Sequence, residues 1–387
     1  MKEKDFLSRL KLESYCHVNR FCFILGAGAS KECGVPDAGD LIKEWYKALL
    51  QESSIPDLWK QILEKEDAEA KDETIERLKS DPELLKGVLK PMSWEREEEL
   101  SLARLIRLKF TLDDEEKYAR MFELRFPTPT LRRHVIDEFV AKGSPKEGHK
   151  RLADVLLNTS NNIVITTNFD EIIEKAVRQR SSLMLMSSAE APNCGAFEDE
   201  SNNLAPSFMD LNNEKPLVIK AHGDISGNVQ KNTVEELRHL PESFCQKMES
   251  IFSTYIPIFI GYAGTDAALV DMLIAYAHKN GRRWNNADYG CYWLVYGRED
   301  ESPEAKVSSR VKEYVRSVNG KYIIHSGFED IMPKIADMLL GAAGNASDGN
   351  EKKQEEEKNT TKDKKNEGGD TWESEKKGNW NYKNIGY

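Results

Sequence analysis

Four short stretches of this 387-residue chain carry side chains and backbone able to do chemistry, and each follows an apolar run. In Gly26-Ala27-Gly28-Ala29-Ser30 the missing side chains let backbone N–H groups converge closely on an anion, and a diphosphate is the natural ligand. Glycines at a strand end also make plain turns, and the third glycine of G-x-G-x-x-G is missing here. The chain runs on through Cys33-Gly34-Val35-Pro36-Asp37. There Gly34 can end a short helix and Pro36 stiffens the approach to the Asp37 carboxylate, as in a loop folded back over a nucleotide.

The second stretch, Thr166-Thr167-Asn168-Phe169-Asp170, sets a carboxamide and a carboxylate two residues apart. Asn168 can bond a ribose hydroxyl or hold a water, and Asp170 can fix the loop or polarise Asn168; either can instead cap a helix. The third, Ala221-His222-Gly223-Asp224, supplies an imidazole whose ordinary pKa of about 6.5 suits proton removal near neutral pH, with a structural histidine as the alternative. The fourth, Gly261-Tyr262-Ala263-Gly264-Thr265-Asp266, combines small and hydrogen-bonding residues suited to the adenosine half of a dinucleotide.

These stretches can act together only if the fold brings them to one place. Apolar runs at 20–25, 163–166, 217–221, 256–260 and 291–296, with a further one at 322–324, read as short buried strands separated by helical or loop segments. That alternation predicts an α/β fold, a doubly wound Rossmann-like parallel sheet whose strand-end loops gather at one crevice. From about 41 to 157 the pattern turns to charged segments with apolar residues three and four apart, which reads as a large helical insertion within a domain spanning 1–343. Residues 344–370 hold almost no apolar side chains and read as a disordered linker. The last segment, 371–387, regains Trp372, Trp380, Tyr382 and Tyr387 and reads either as a docking peptide or as part of a disordered tail.

Composition narrows the function classes. With 55 Lys+Arg against 66 Asp+Glu the net charge is −11, which argues against a dominant nucleic-acid-binding surface or an anionic membrane surface. No clustered metal-binding carboxylates or basic stripe support a nuclease. The opening residues lack an apolar leader and no segment has the length of a membrane span, so a soluble cytoplasmic protein is expected. The six cysteines form no C-x-x-C pair, so neither a disulfide framework nor a structural zinc ribbon is expected.

Taken in order, GAGAS…GVPDA, TTNFD, AHGD and GYAGTD resemble the motifs of the sirtuin-like superfamily over roughly residues 20–341. The chain is more similar to bacterial sirtuin-like NAD hydrolases of antiviral defence, the type paired with a HerA-like hexameric ATPase, than to protein deacetylases. The resemblance implies that Asn168 and His222 are catalytic and that NAD is the substrate. It further implies that Gly26, Ala27, Gly28, Ser30, Asp37, Thr167, Asp170, Gly261, Tyr262 and Asp266 bind the dinucleotide. Homo-oligomerisation, an ATPase partner and control of activity by assembly are the matching expectations. Two departures weaken a deacylase reading: the four-cysteine zinc module is absent, and Ala38-Gly39 stands where deacetylases carry Phe-Arg. An NAD-dependent deacylase and a non-catalytic nucleotide-binding scaffold remain the alternatives, and no metal is expected.

Overall fold

The computed structural model describes residues 1–16, 19–90, 100–112, 114–181, 186–187, 216–224, 229–230, 240, 242–280 and 288–341. The linker and aromatic peptide expected beyond residue 343, and Cys194, lie outside them. In chain order the first elements are α1 (Glu3–Tyr15), β1 (Arg20–Leu25) and the single-turn α2 (Ala27–Ser30), which passes into a 3₁₀ turn at Lys31–Cys33. Seven helices follow: α3 (Ala38–Glu52), α4 (Asp57–Glu64), α5 (Asp67–Ser80), α6 (Pro82–Leu89), α7 (Leu102–Phe110), α8 (Asp114–Arg125) and α9 (Pro129–Ala141). Then come α10 (Glu147–Asn158), β2 (Ile163–Thr166), α11 (Ile172–Arg180), β3 (Met186–Ser187), β4 (Leu217–Lys220) and the short pair β5 (Gly223–Asp224) and β6 (Val229–Gln230). The remainder is α12 (Glu242–Thr254), β7 (Tyr255–Ile260), α13 (Ala267–Asn280), β8 (Tyr292–Tyr296), α14 (Ser309–Ser317), β9 (Lys321–His325) and a last helix, α15, over 328–341.

Seven strands form one parallel sheet in the order β3-β4-β2-β1-β7-β8-β9. The chain winds outward from β1 through β2 and β4, then returns to the other side of β1 and continues through β7, β8 and β9. The order therefore reverses between β1 and β7, where a doubly wound sheet opens its ligand crevice beyond the carboxyl ends of the strands. β3, two residues long at the sheet edge, has too little sequence to register as an apolar run.

Burial on both faces explains why these strands are continuous apolar runs. Because side chains alternate across a strand, Cys22 and Ile24 of β1 join one core while Phe21, Phe23 and Leu25 join the other. The first core is closed by α12, α13 and α14, through Phe244, Met248, Leu273 and Tyr314. The second is closed by α1, α10, α11 and α15, through Phe6, Leu156, Val177 and Ile335. Each fully buried Phe, Ile or Leu contributes roughly 1.5–3 kcal/mol, so this double burial makes β1 the spine of the fold.

The helices between β1 and β2 divide in two. α3 to α9 enclose a third core around Leu41, Trp45, Leu49, Leu105 and Phe122, with Trp45 against Phe122 at 5.2 Å between ring centroids. α10, which sequence reading groups with the insertion, instead lays Leu152, Val155 and Leu156 on the sheet. The helical body thus ends near Ala141, and α10 belongs to the layer covering the strands. Thr128 caps α9 through its Oγ1, with Pro129 opening the helix, so the two prolines of FPTPT mark a helix start. Residues Met1–Ala343 cluster as one unit.

Candidate active site

The parallel register sets four loops side by side. Leu25 aligns with Thr166 on one side and Ile260 on the other, and Thr166 aligns with Lys220, so β4, β2, β1 and β7 end at one level. Their next residues are Ala221-His222, Thr167-Asn168, Gly26 and Gly261. Backbone bonds continue past the strands: Thr167 N–H donates to Leu25 O (3.2 Å) and Ala221 N–H to Thr166 O (2.8 Å). The Thr166 hydroxyl donates to Leu25 O at 3.1 Å and accepts from Asn168 N–H at 3.0 Å, which fixes where the TTNFD loop leaves the sheet.

At the switch point the two glycine turns touch backbone to backbone. Gly28 N–H donates to Gly261 O at 2.9 Å, and a Cβ on Gly26 would lie 2.6 Å from the same oxygen. Gly261 has φ +64°, and a side chain there would come within 2.3 Å of Ala29 N, so glycine is required on both counts. This corrects one expectation: the Gly28 N–H is spent on holding the turn to Gly261 and is not free to face an anion. Gly26 stands behind the cavity wall, against Gly261 and Tyr262.

Asn168 Nδ2 donates to Gly26 O and to Ser30 Oγ, both at 3.1 Å. A carbonyl oxygen only accepts, so the NH₂ side of the carboxamide must face the glycine turn, and among the described residues no donor reaches Oδ1. His222 Nε2 lies 2.6 Å from Asp266 Oδ2, while Asp266 Oδ1 accepts from Leu269 N–H at 3.0 Å, near the start of α13. Burial pushes the Asp266 carboxyl up, but the adjacent His222 and the helix N–H groups outweigh it and hold it below its ordinary value. With Nε2 turned to a carboxylate, the imidazole offers Nδ1 as its proton acceptor.

Two carboxylates serve the scaffold. Asp170 Oδ1 accepts from Ile172 N–H at 3.0 Å, capping the approach to α11, as the capping alternative for this loop allowed. Asp37 caps α3 by accepting from Asp40 N–H at 2.8 Å and pairs with Lys31 at 2.6 Å. It fixes the start of the insertion, where sequence reading placed it in a nucleotide loop.

All of these loops open on a single cavity of about 990 Å³, at the top of the range of roughly 300–1,000 Å³ usual for small-molecule sites and ample for a dinucleotide. Ala27, Gly28, Ser30, Asp37, Thr167, Asn168, Asp170, His222, Gly261, Tyr262 and Asp266 line it. So do insertion residues including Trp45, Tyr46, Lys109 and Tyr118, which make the insertion the cavity's outer wall. Phe169, between Asn168 and Asp170, packs on the insertion core and joins the two parts.

Sequence reading missed the Asp266–His222 pair, whose partners are 44 residues apart, and it missed Lys220. The Lys220 ammonium is fully buried beneath the TTNFD loop, donating to Asp170 O at 2.6 Å and Phe169 O at 3.3 Å, with Glu174 at 3.1 Å. A charge ending the apolar strand LVIK was its one visible signal. It also missed a cluster outside the cavity, the buried Cys33 and His149 with the half-buried Glu329.

Residues 162–317 match the SIR2-like domain. A comparison with curated proteins gives no match. The matched span holds the TTNFD, AHGD and GYAGTD loops but not GAGAS, which the helical insertion separates from them in sequence. Over 162–317 the chain is therefore similar to the SIR2-like domain, whose members are NAD-dependent enzymes, and this similarity supports the sirtuin-like resemblance of its motifs.

Proposed function

We propose that the protein hydrolyses NAD at the bond between nicotinamide and ribose, giving ADP-ribose and nicotinamide. The observation that carries this reading is that Asn168 and His222, from different strands, line one cavity at the switch point beside the glycine turns. The pyridinium of NAD carries a positive charge, so it departs as neutral nicotinamide when its ring nitrogen takes the electron pair of the breaking C–N bond, and no acid is needed. The ribose carbon gains oxocarbenium character, and Asn168 Oδ1 holds a water or a ribose hydroxyl against it. Water adds through oxygen, and its proton passes to His222 Nδ1, with Asp266 steadying the imidazolium. The proton then leaves to solvent.

Unregulated NAD destruction would harm its own cell, so the proposal includes control through assembly. On this reading the chain forms a homo-oligomer, associates with a HerA-type ATPase and depletes NAD in anti-phage defence; resemblance of the motifs supports these parts. Chromatography of NAD products, with and without a HerA-type ATPase, tests the reading. Equal nicotinamide and ADP-ribose, lost in Asn168→Ala, supports hydrolysis. Nicotinamide release that requires an acyl-lysine peptide assigns a deacylase instead, and nucleotide binding with no turnover in any assembly assigns a scaffold.

A further inference from the structure

Behind the glycine turn, away from the cavity, three buried or half-buried groups of metal-ligating type converge. Cys33 closes the 3₁₀ turn, His149 lies in the first turn of α10, and Glu329 lies in the first turn of α15. Cys33 Sγ is 3.4 Å from His149 Nδ1, Glu329 Oε1 is 3.6 Å from the same nitrogen, and sulfur and oxygen are 3.9 Å apart. We propose that Cys33, His149 and Glu329 bind one zinc-class divalent metal ion.

Three features carry this assignment. First, thiol and carboxylate both meet Nδ1, whereas a nucleophile–histidine–carboxylate catalytic relay places its two partners on opposite ring nitrogens. Second, at 3.6 Å the carboxylate and imidazole sit at ion-pair distance, longer than the roughly 2.7–3.2 Å of an N–H···O bond, so no short direct hydrogen bond closes the space between them. Bonds of about 2.0–2.3 Å from a tetrahedral ion to O, N and S put ligand atoms roughly 3.3–3.6 Å apart, close to the observed triangle. Third, the ligands are held from behind. Glu329 Oε2 accepts from Gly148 N–H at 2.7 Å, leaving Oε1 to the cluster, and Phe328 packs on the His149 ring at 4.6 Å.

Cys33 and His149 are buried, so a bound ion would be withdrawn from bulk solvent, and tetrahedral coordination by three protein ligands calls for a water as the fourth. None of the three residues lines the cavity, so the site is separate from the proposed chemistry of NAD. An ion there would tie the segment after the glycine turn to α10 and α15.

Titration of Co²⁺ into the metal-stripped full chain tests the site without reference to NAD turnover. The expected result is a thiolate-to-cobalt charge-transfer band with intense tetrahedral visible bands, saturating at one equivalent and bleached by Zn²⁺. Cys33→Ser, nearly isosteric, removes the charge-transfer band, and Glu329→Gln, which keeps the side chain's shape at a half-buried position, lowers Co²⁺ affinity at least tenfold. Cys16→Ala, an exposed thiol elsewhere, keeps the spectrum. Absence of the band in native-like protein, its survival in Cys33→Ser, or unchanged affinity in Glu329→Gln overturns the proposal.

Discussion

Asp266 and His222 meet in a contact that spans 44 residues of sequence. The pair forms because β4 and β7 end at one level on either side of β2 and β1, and because Asp266 also receives the first amides of α13. Its folded-state pKa lies below the ordinary value of 3.8, so its stabilising contribution is complete above that value and disappears as pH falls through the lower, folded-state value. Asp266→Asn should cost about 1–3 kcal/mol at neutral pH. The difference in melting temperature between wild type and variant should shrink as the pH falls below 3.8 to the lower pH at which the wild-type carboxyl protonates as well. A difference that stays constant down to that pH would mean that Asp266 gains nothing from its charge. At this scale His222 and Asn168 were legible because imidazole and carboxamide are chemical signals in themselves. The Asp266 pairing was not, since only the fold brings the two residues together.

Strands and turns account for the geometry these side chains inherit. Continuous apolar runs identified six strands, because double burial removes the polar alternation of an exposed sheet. The glycine contacts at the switch point were half legible: the turn could be read, but its backbone partner in Gly261 could not, lying more than two hundred residues on. Gly261→Ala should lower stability by more than about 2 kcal/mol, combining the left-handed backbone penalty with the 2.3 Å approach to Ala29 N. A denaturation midpoint unchanged from wild type would show that this packing is loose. Lys220 makes a second test at this scale. Burial raises the Glu174 carboxyl above its ordinary value even with Lys220 beside it, so the pair is held under tension. Lys220→Met should cost about 3–5 kcal/mol by stranding Glu174 and the TTNFD carbonyls, and Lys220→Met with Glu174→Leu should recover part of it in equilibrium unfolding. No recovery would place the whole cost in the lost carbonyl contacts.

Within Met1–Ala343 a helical body adjoins the carboxyl-end edge of the sheet. Sequence periodicity announced that body but not its limit, because α10 has the same amphipathic spacing whether it covers the insertion core or the strands; packing alone decides. The insertion supplies the cavity's outer wall and Phe169 pins the TTNFD loop to it, so access to the cavity and its geometry depend on both parts. The cores lie within Met1–Ala343, and a chain ending at Ala343 should therefore keep the melting temperature of the full chain. A fall of several degrees on that truncation would assign the C-terminal segment a structural role. The most direct test of the whole account is nicotinamide release from NAD by the 387-residue chain, with the proposed HerA-type ATPase added and without any acyl-lysine peptide, beside Asn168→Ala. The account predicts equimolar nicotinamide and ADP-ribose from the wild type and a loss of at least a hundredfold, about 2.7 kcal/mol, in the variant. Equal rates from the two proteins would contradict it.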